Sequence, residues 1–144
     1  MAFSQQQIEA LTESLRLSLG DNINWSYDER NHAMLSEFAQ NKAEPVLHKL
    51  RLTLTDEWQG KSWKKMPQPL KQQLGSLTKL SKHQRILALS GKHDSPTIVA
   101  LWWPWDHGGT YSLRLKLFTT EYHNTPEQNS SGVFTKLKRL FTMS

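Results

Sequence analysis

The sequence predicts an α+β domain in which an antiparallel sheet packs with N-terminal, central and C-terminal helices. The sheet is expected to hold a C-terminal three-stranded meander plus at least one earlier strand. Three observations point there. Apolar residues recur at helical spacing near both ends and once in the middle, they alternate through 85–119, and short loops rich in Gly, Pro and Asp separate the alternating runs. A chain of 144 residues suffices for one hydrophobic core, so 1–144 reads as a single domain.

The first helix is expected from Phe3 to Gly20. Ser4 and Gln7 form a capping box, Phe3 and Ile8 stand at hydrophobic-staple positions, and Gly20 supplies a left-handed stop. Ile8, Leu11 and Leu15 make its apolar stripe. Next, Ile23, Trp25 and Tyr27 alternate as a strand would, and Asp28 to Asn31 offers turn chemistry. Residues 32–40 then read as a return strand or a short helix.

After Pro45, Leu50, Leu52 and Leu54 alternate with Lys49, Arg51 and Thr53, which predicts a half-buried strand over 46–55 with a basic outer face. Residues 56–69 read as a polar connection carrying Trp58, Trp63, Lys61, Lys64 and Lys65. Pro69 then opens a helix in which Leu70, Leu74, Leu77 and Leu80 continue to about His83, opposite Lys71, Lys79 and Lys82.

Residues 85–90, 97–103 and 110–119 are the meander. The middle run is apolar on both sides and so fits a central strand covered on two faces. In the last run Tyr111, Leu113, Leu115 and Leu117 point inward while Arg114 and Lys116 point outward. Finally, Val133, Leu137, Leu140 and Phe141 predict a C-terminal amphipathic helix bearing Lys136, Lys138 and Arg139.

Charge is unevenly distributed. The net +5 resolves into −4 for residues 1–41, +8 for 42–92 and +1 for 93–144, so the middle third is the part suited to anionic partners. Six tryptophans are many for this length, and Trp102-Trp103-Pro104-Trp105 gathers three at the end of the central strand. Successive strand side chains face opposite ways, so Trp102 and Trp103 need separate covers or one of them forms a platform for a ligand or partner.

Several chemistries are disfavoured. With no cysteine there are no disulfides or thiolates, and the six histidines show no paired metal-ligand spacing, so neither a metal nor a cofactor is expected. Glycine-rich phosphate loops and nucleophile motifs are lacking, which leaves Asp106-His107 as the best enzymatic guess, with His107 as a general base. No run is apolar enough to span a membrane and the N-terminus does not read as a signal peptide, so a cytoplasmic protein without membrane contact is expected.

The leading functional expectation is a non-catalytic adaptor. It would dock a protein partner through an aromatic patch and a basic sheet face, using Lys49, Arg51, Arg114, Lys116, Trp58, Trp63, Lys64, Lys65, Trp103 and Trp105. The alternative is a nucleic-acid-binding module in which the lysines of 42–92 neutralise phosphates and tryptophans stack on bases.

Overall fold

The computed structural model describes residues 3–92, 94–105 and 108–123. The helix expected at 133–141, His93, Asp106 and His107 lie outside them.

Helix α1 spans Gln5–Ser18 and starts as its sequence dictates. The Ser4 hydroxyl accepts from the Gln7 amide at 3.2 Å, and the Gln7 side chain accepts from the Ser4 amide at 2.8 Å, so two otherwise orphaned donors are satisfied. Gly20 takes φ +110° and ends the helix. The following hairpin consists of β1, Ser26–Asp28, and β2, Ala33–Ala39. The meander consists of β4, Arg85–Leu89, β5, Thr97–Pro104, and β6, Thr110–Phe118. A further strand, β3, covers Asp56–Gln59. Together they form one six-stranded sheet in the order β1-β2-β6-β5-β4-β3, with every pair antiparallel.

Among the described residues both faces of β4 and β5 are covered. On one side Ile8 and Leu15 of α1 and Val46, Leu47 and Leu50 of the second helix pack on Phe38, Leu87, Ala100, Trp102, Leu113 and Leu115. On the other side Trp58, Met66, Leu70, Leu74 and Tyr122 pack on Ile86, Ala88, Val99 and Leu101. Strand β5 alternates between the two cores, as its unbroken apolar run requires. Each fully buried Leu or Ile contributes about 1.5–3 kcal/mol relative to exposure, so both layers are held chiefly by apolar burial.

Three elements depart from the sequence reading. Residues 46–55 are not a strand, because Ala43–Thr53 form helix α2. Ala43, Val46, Leu47, Leu50 and Leu54 are buried at helical spacing, whereas Leu52 is 71% exposed. Leucine at every second position mimicked a strand, but the residues preceding Leu50 decide the period. Pro45 falls in the first turn of α2, where no intrahelical bond needs its missing N–H.

The connection 56–69 contains β3, which pairs with β4 through Trp58↔Ile86 and buries Trp58. The central helix, α3, is shorter than expected and spans Gln68–Leu74. Gly75 takes φ +58°, and Gly75–Thr78 continue as a 3-10 turn that carries Leu77 against the second core. Lys71, Lys79 and Lys82 therefore do not share one helical face.

The loop between β4 and β5 is tight at Gly91, where a Cβ would lie 2.5 Å from the Ser95 carbonyl oxygen and 2.7 Å from the Thr97 nitrogen. Both are backbone atoms and cannot rotate away. Gly91→Ala is expected to destabilise the domain by about 2 kcal/mol or more, measured by urea unfolding. An unchanged midpoint would show that the loop yields freely.

Candidate functional site

The four cations expected on one sheet face do not come together. Lys49 and Arg51 lie on α2, above the face that carries the first core, while Arg114 and Lys116 lie on β6. Three of the four bond within the chain. The Arg51 guanidinium grips both Glu57 carboxylate oxygens, at 2.8 and 3.0 Å, and Arg85 donates to the same carboxylate at 2.8 Å. This network ties α2 to the edge strand β3 and its neighbour β4. The Arg114 Nε donates to Asp28 at 2.8 Å, and the Lys116 ammonium donates to the Asn31 carbonyl, so both fasten the first hairpin to β6. A basic docking face built from Lys49, Arg51, Arg114 and Lys116 is therefore corrected by the structure.

The titration of these groups follows from their surroundings. Burial works to raise the Asp28 carboxyl, but hydrogen bonds from Arg114 and from the Asn31 side chain and amide outweigh it and hold the group at about 2. The Arg51 hydrogen bonds hold Glu57 below the usual carboxylate value against the opposing effect of burial, and Arg85 adds to them. Burial lowers Lys116, with Asp28 opposing and Arg114 reinforcing that shift.

The tryptophans divide into core and surface. Trp58 is 3% exposed and meets the Tyr122 ring edge-on at 6.2 Å, which removes it as a ligand platform. Trp102 enters the first core and Trp103 packs half-buried on the second, so the adjacent pair finds two separate covers. Trp63 is half-buried within the 3-10 segment Gly60–Lys65, and the Lys71 ammonium lies 5.7 Å from its ring centroid.

Lys61, Lys64, Lys65, Lys79 and Lys82 are exposed and Lys71 is half-exposed. From Trp58 to Lys92 the chain has seven lysines and Arg85 without one Asp or Glu. Among the described residues none of these lysines enters an ion pair. The layer packed on the second core thus carries a lysine surface that no carboxylate among the described residues pairs with, underlain by Met66, Leu70 and Leu74.

Trp105 is 49% exposed yet firmly held. Its amide donates to the Thr110 carbonyl at 2.9 Å, its carbonyl accepts from Gly108 at 2.8 Å, and its indole Nε1 donates to the Ser112 hydroxyl at 2.9 Å. It stands beside a cleft of about 480 Å³ between the start of α2 and the adjoining ends of β4, β5 and β6. Trp102 and Tyr111, with ring centroids 5.3 Å apart, form its aromatic wall, and Phe38 stacks behind Tyr111 at 6.2 Å. Gln40, Glu44, Ser81 and His83 supply its polar rim.

Sequence reading missed this cleft because its walls meet only through strand pairing and the packing of α2 on the sheet. Arg85 lies opposite Trp102, and Pro104 lies opposite Tyr111. No local motif links Glu44 on α2 with His83 ahead of β4. The proposed general base His107 lies outside the described residues.

Comparison with known proteins gives no matching family, no matching curated protein and no matching solved structure. Among the described residues no group of three or more His, Asp or Glu is placed to hold a metal ion, and no helix is long and apolar enough to cross a membrane.

Asp28 makes a pH-dependent contribution of definite sign. Its carboxylate is favoured in the folded chain, so its stabilisation is complete above about pH 4 and is lost as pH falls towards about 2. Glu57 acts in the same direction, beginning slightly higher. Asp28→Asn should remove about 1–2 kcal/mol of stability at pH 6 and much less at pH 2, measured by urea unfolding across that range. An equal loss at both values would contradict the assignment.

Proposed function

We propose that the chain is a nucleic-acid-binding module whose phosphate-contacting surface is the lysine-rich layer of residues 60–82. The observation that carries this reading is the segregation of cations. The arginines Arg51, Arg85 and Arg114 are neutralised by Glu57 and Asp28, while Lys61, Lys64, Lys65, Lys79 and Lys82 are exposed and have no carboxylate partner among the described residues. Lysines scattered for solubility alone need no such segregation. A one-sign surface raises the local concentration of a polyanion and gains affinity by releasing its counterions.

Trp63 strengthens the reading, because a half-buried ring beside the Lys71 ammonium, in a segment that also carries Lys61, Lys64 and Lys65, combines a stacking surface with charge neutralisation. The same layer contributes few apolar side chains to its own exterior, which suits a partner held by charge more than one held by apolar burial.

A second reading is the adaptor that docks a protein partner, and Trp105 is the observation that favours it. A half-exposed tryptophan held by three hydrogen bonds is pre-ordered, so a partner would bury it at little cost in side-chain entropy. This reading requires a defined complex whose stability responds to Trp105→Ala and only weakly to salt. Pull-down from nuclease-treated lysate followed by mass spectrometry tests it, and loss of every stoichiometric partner after nuclease would count against it.

For the nucleic-acid reading, affinity should fall steeply with salt. Contact with about six single-strand phosphates gives a log–log slope near −4. Lys64→Glu combined with Lys65→Glu and Lys79→Glu should weaken binding at low salt by about tenfold or more and flatten that slope, with Tm unchanged. Wild-type affinity in the triple variant would refute the surface.

A further inference from the structure

We infer that the cleft beside Trp105 receives a single unstacked nucleobase, so that the preferred partner of the module is single-stranded. This rests on the nucleic-acid reading above and deepens it. The lysine layer and the cleft lie on opposite sides of the sheet, and residues 79–83 join them: Leu80 packs on the second core, whereas Ser81 and His83 line the cleft walled by Trp102 and Tyr111 of the first. Lys79 and Lys82 are exposed, and Ser81 and His83, which alternate with Lys82, line the cleft itself. A strand whose phosphates follow those lysines arrives at an opening walled by Trp102, Tyr111 and Trp105.

The dimensions and chemistry suit a base. A cleft of about 480 Å³ exceeds a nucleobase in volume and leaves room for part of its sugar. Trp105 presents an exposed ring whose orientation is fixed through Ser112, so stacking on it requires little further ordering. The rim holds both kinds of hydrogen-bonding group. The Glu44 carboxylate accepts and suits an exocyclic amino group, while the Gln40 amide and Ser81 hydroxyl can donate or accept. Of the two charged side chains lining the cleft, Arg85 is engaged by Glu57, whereas Glu44 repels phosphate, which favours entry by the base.

A base paired within a duplex cannot reach such a cleft without being extruded, which forfeits its pairing and stacking. The cleft therefore discriminates between single and double strands, whereas the lysine layer attracts both.

The test uses the full chain and three fluorescent probes of equal length, measured by anisotropy at fixed salt. They are a 12-nucleotide single-stranded DNA of mixed sequence, its duplex, and an abasic 12-mer that keeps only the sugar–phosphate backbone. The base-bearing single strand is expected to bind about tenfold or more tightly than either of the others. Trp105→Ala should remove most of that advantage without affecting the abasic probe, and Trp105→Phe should restore much of it because it returns a stacking face.

Lys64→Glu with Lys65→Glu should weaken all three probes together, which separates the surface from the cleft. Equal affinity for all three probes, or a Trp105→Ala variant that loses nothing on the base-bearing strand, would overturn the cleft assignment while leaving the lysine surface standing. Failure of every probe to bind would overturn both and return Trp105 to the protein-docking reading.

Discussion

Strand β5 meets protein on both faces, and most of the architecture follows from that constraint. Val99 and Leu101 enter one core while Ala100 and Trp102 enter the other. A strand so apolar cannot lie at an edge or face water, so the sheet extends to either side of it and helical layers cover the strand on both faces. The first hairpin joins through β2 and β6, β3 closes the opposite edge on β4, and α1 with α2 lies across from α3. The same alternation assigns Trp102 and Trp103 to different cores. It leaves Trp105, just past the strand, as the ring at the surface.

Around this frame the two kinds of cation have separate tasks. Arginine forms forked bonds to carboxylates with little loss of order, and here it joins elements distant in sequence, with Arg51 and Arg85 meeting at Glu57 and Arg114 reaching Asp28. Lysine is more strongly hydrated, and apart from Lys116, which bonds the Asn31 carbonyl, its exposed copies are concentrated in 60–82. The net charge of +5 understates this separation, since much of the acidic compensation lies in residues 1–41.

The sequence was legible where local chemistry and tertiary burial agree. The Ser4–Gln7 capping box, the Gly20 stop and the three meander strands appear where their patterns place them, because cap, turn and period each act over a few residues. It misled where two periods overlap. Leu50, Leu52 and Leu54 satisfy a two-residue repeat, but Ala43, Val46 and Leu47 satisfy a helical one, and burial on α1 and the sheet selects the latter. It was silent where pairing is distant. Nothing near Trp58 announces that β3 will join β4, and nothing in 40–47 announces a cleft shared with 81–85 and 102–111. Of the expected site residues, Lys64, Lys65, Trp63 and Trp105 remain at the surface, whereas Trp58 is core and Arg114 and Lys116 serve the hairpin.

The layer of 60–82 divides its labour residue by residue. Met66, Leu70 and Leu74 turn inward, and Lys61, Lys64, Lys65 and Lys79 turn outward without bracing anything beneath them. Selection or design can therefore exchange the outward positions without compensating substitutions in the interior. The charge pattern of this surface is free to diverge among descendants of this chain while the scaffold that displays it stays the same.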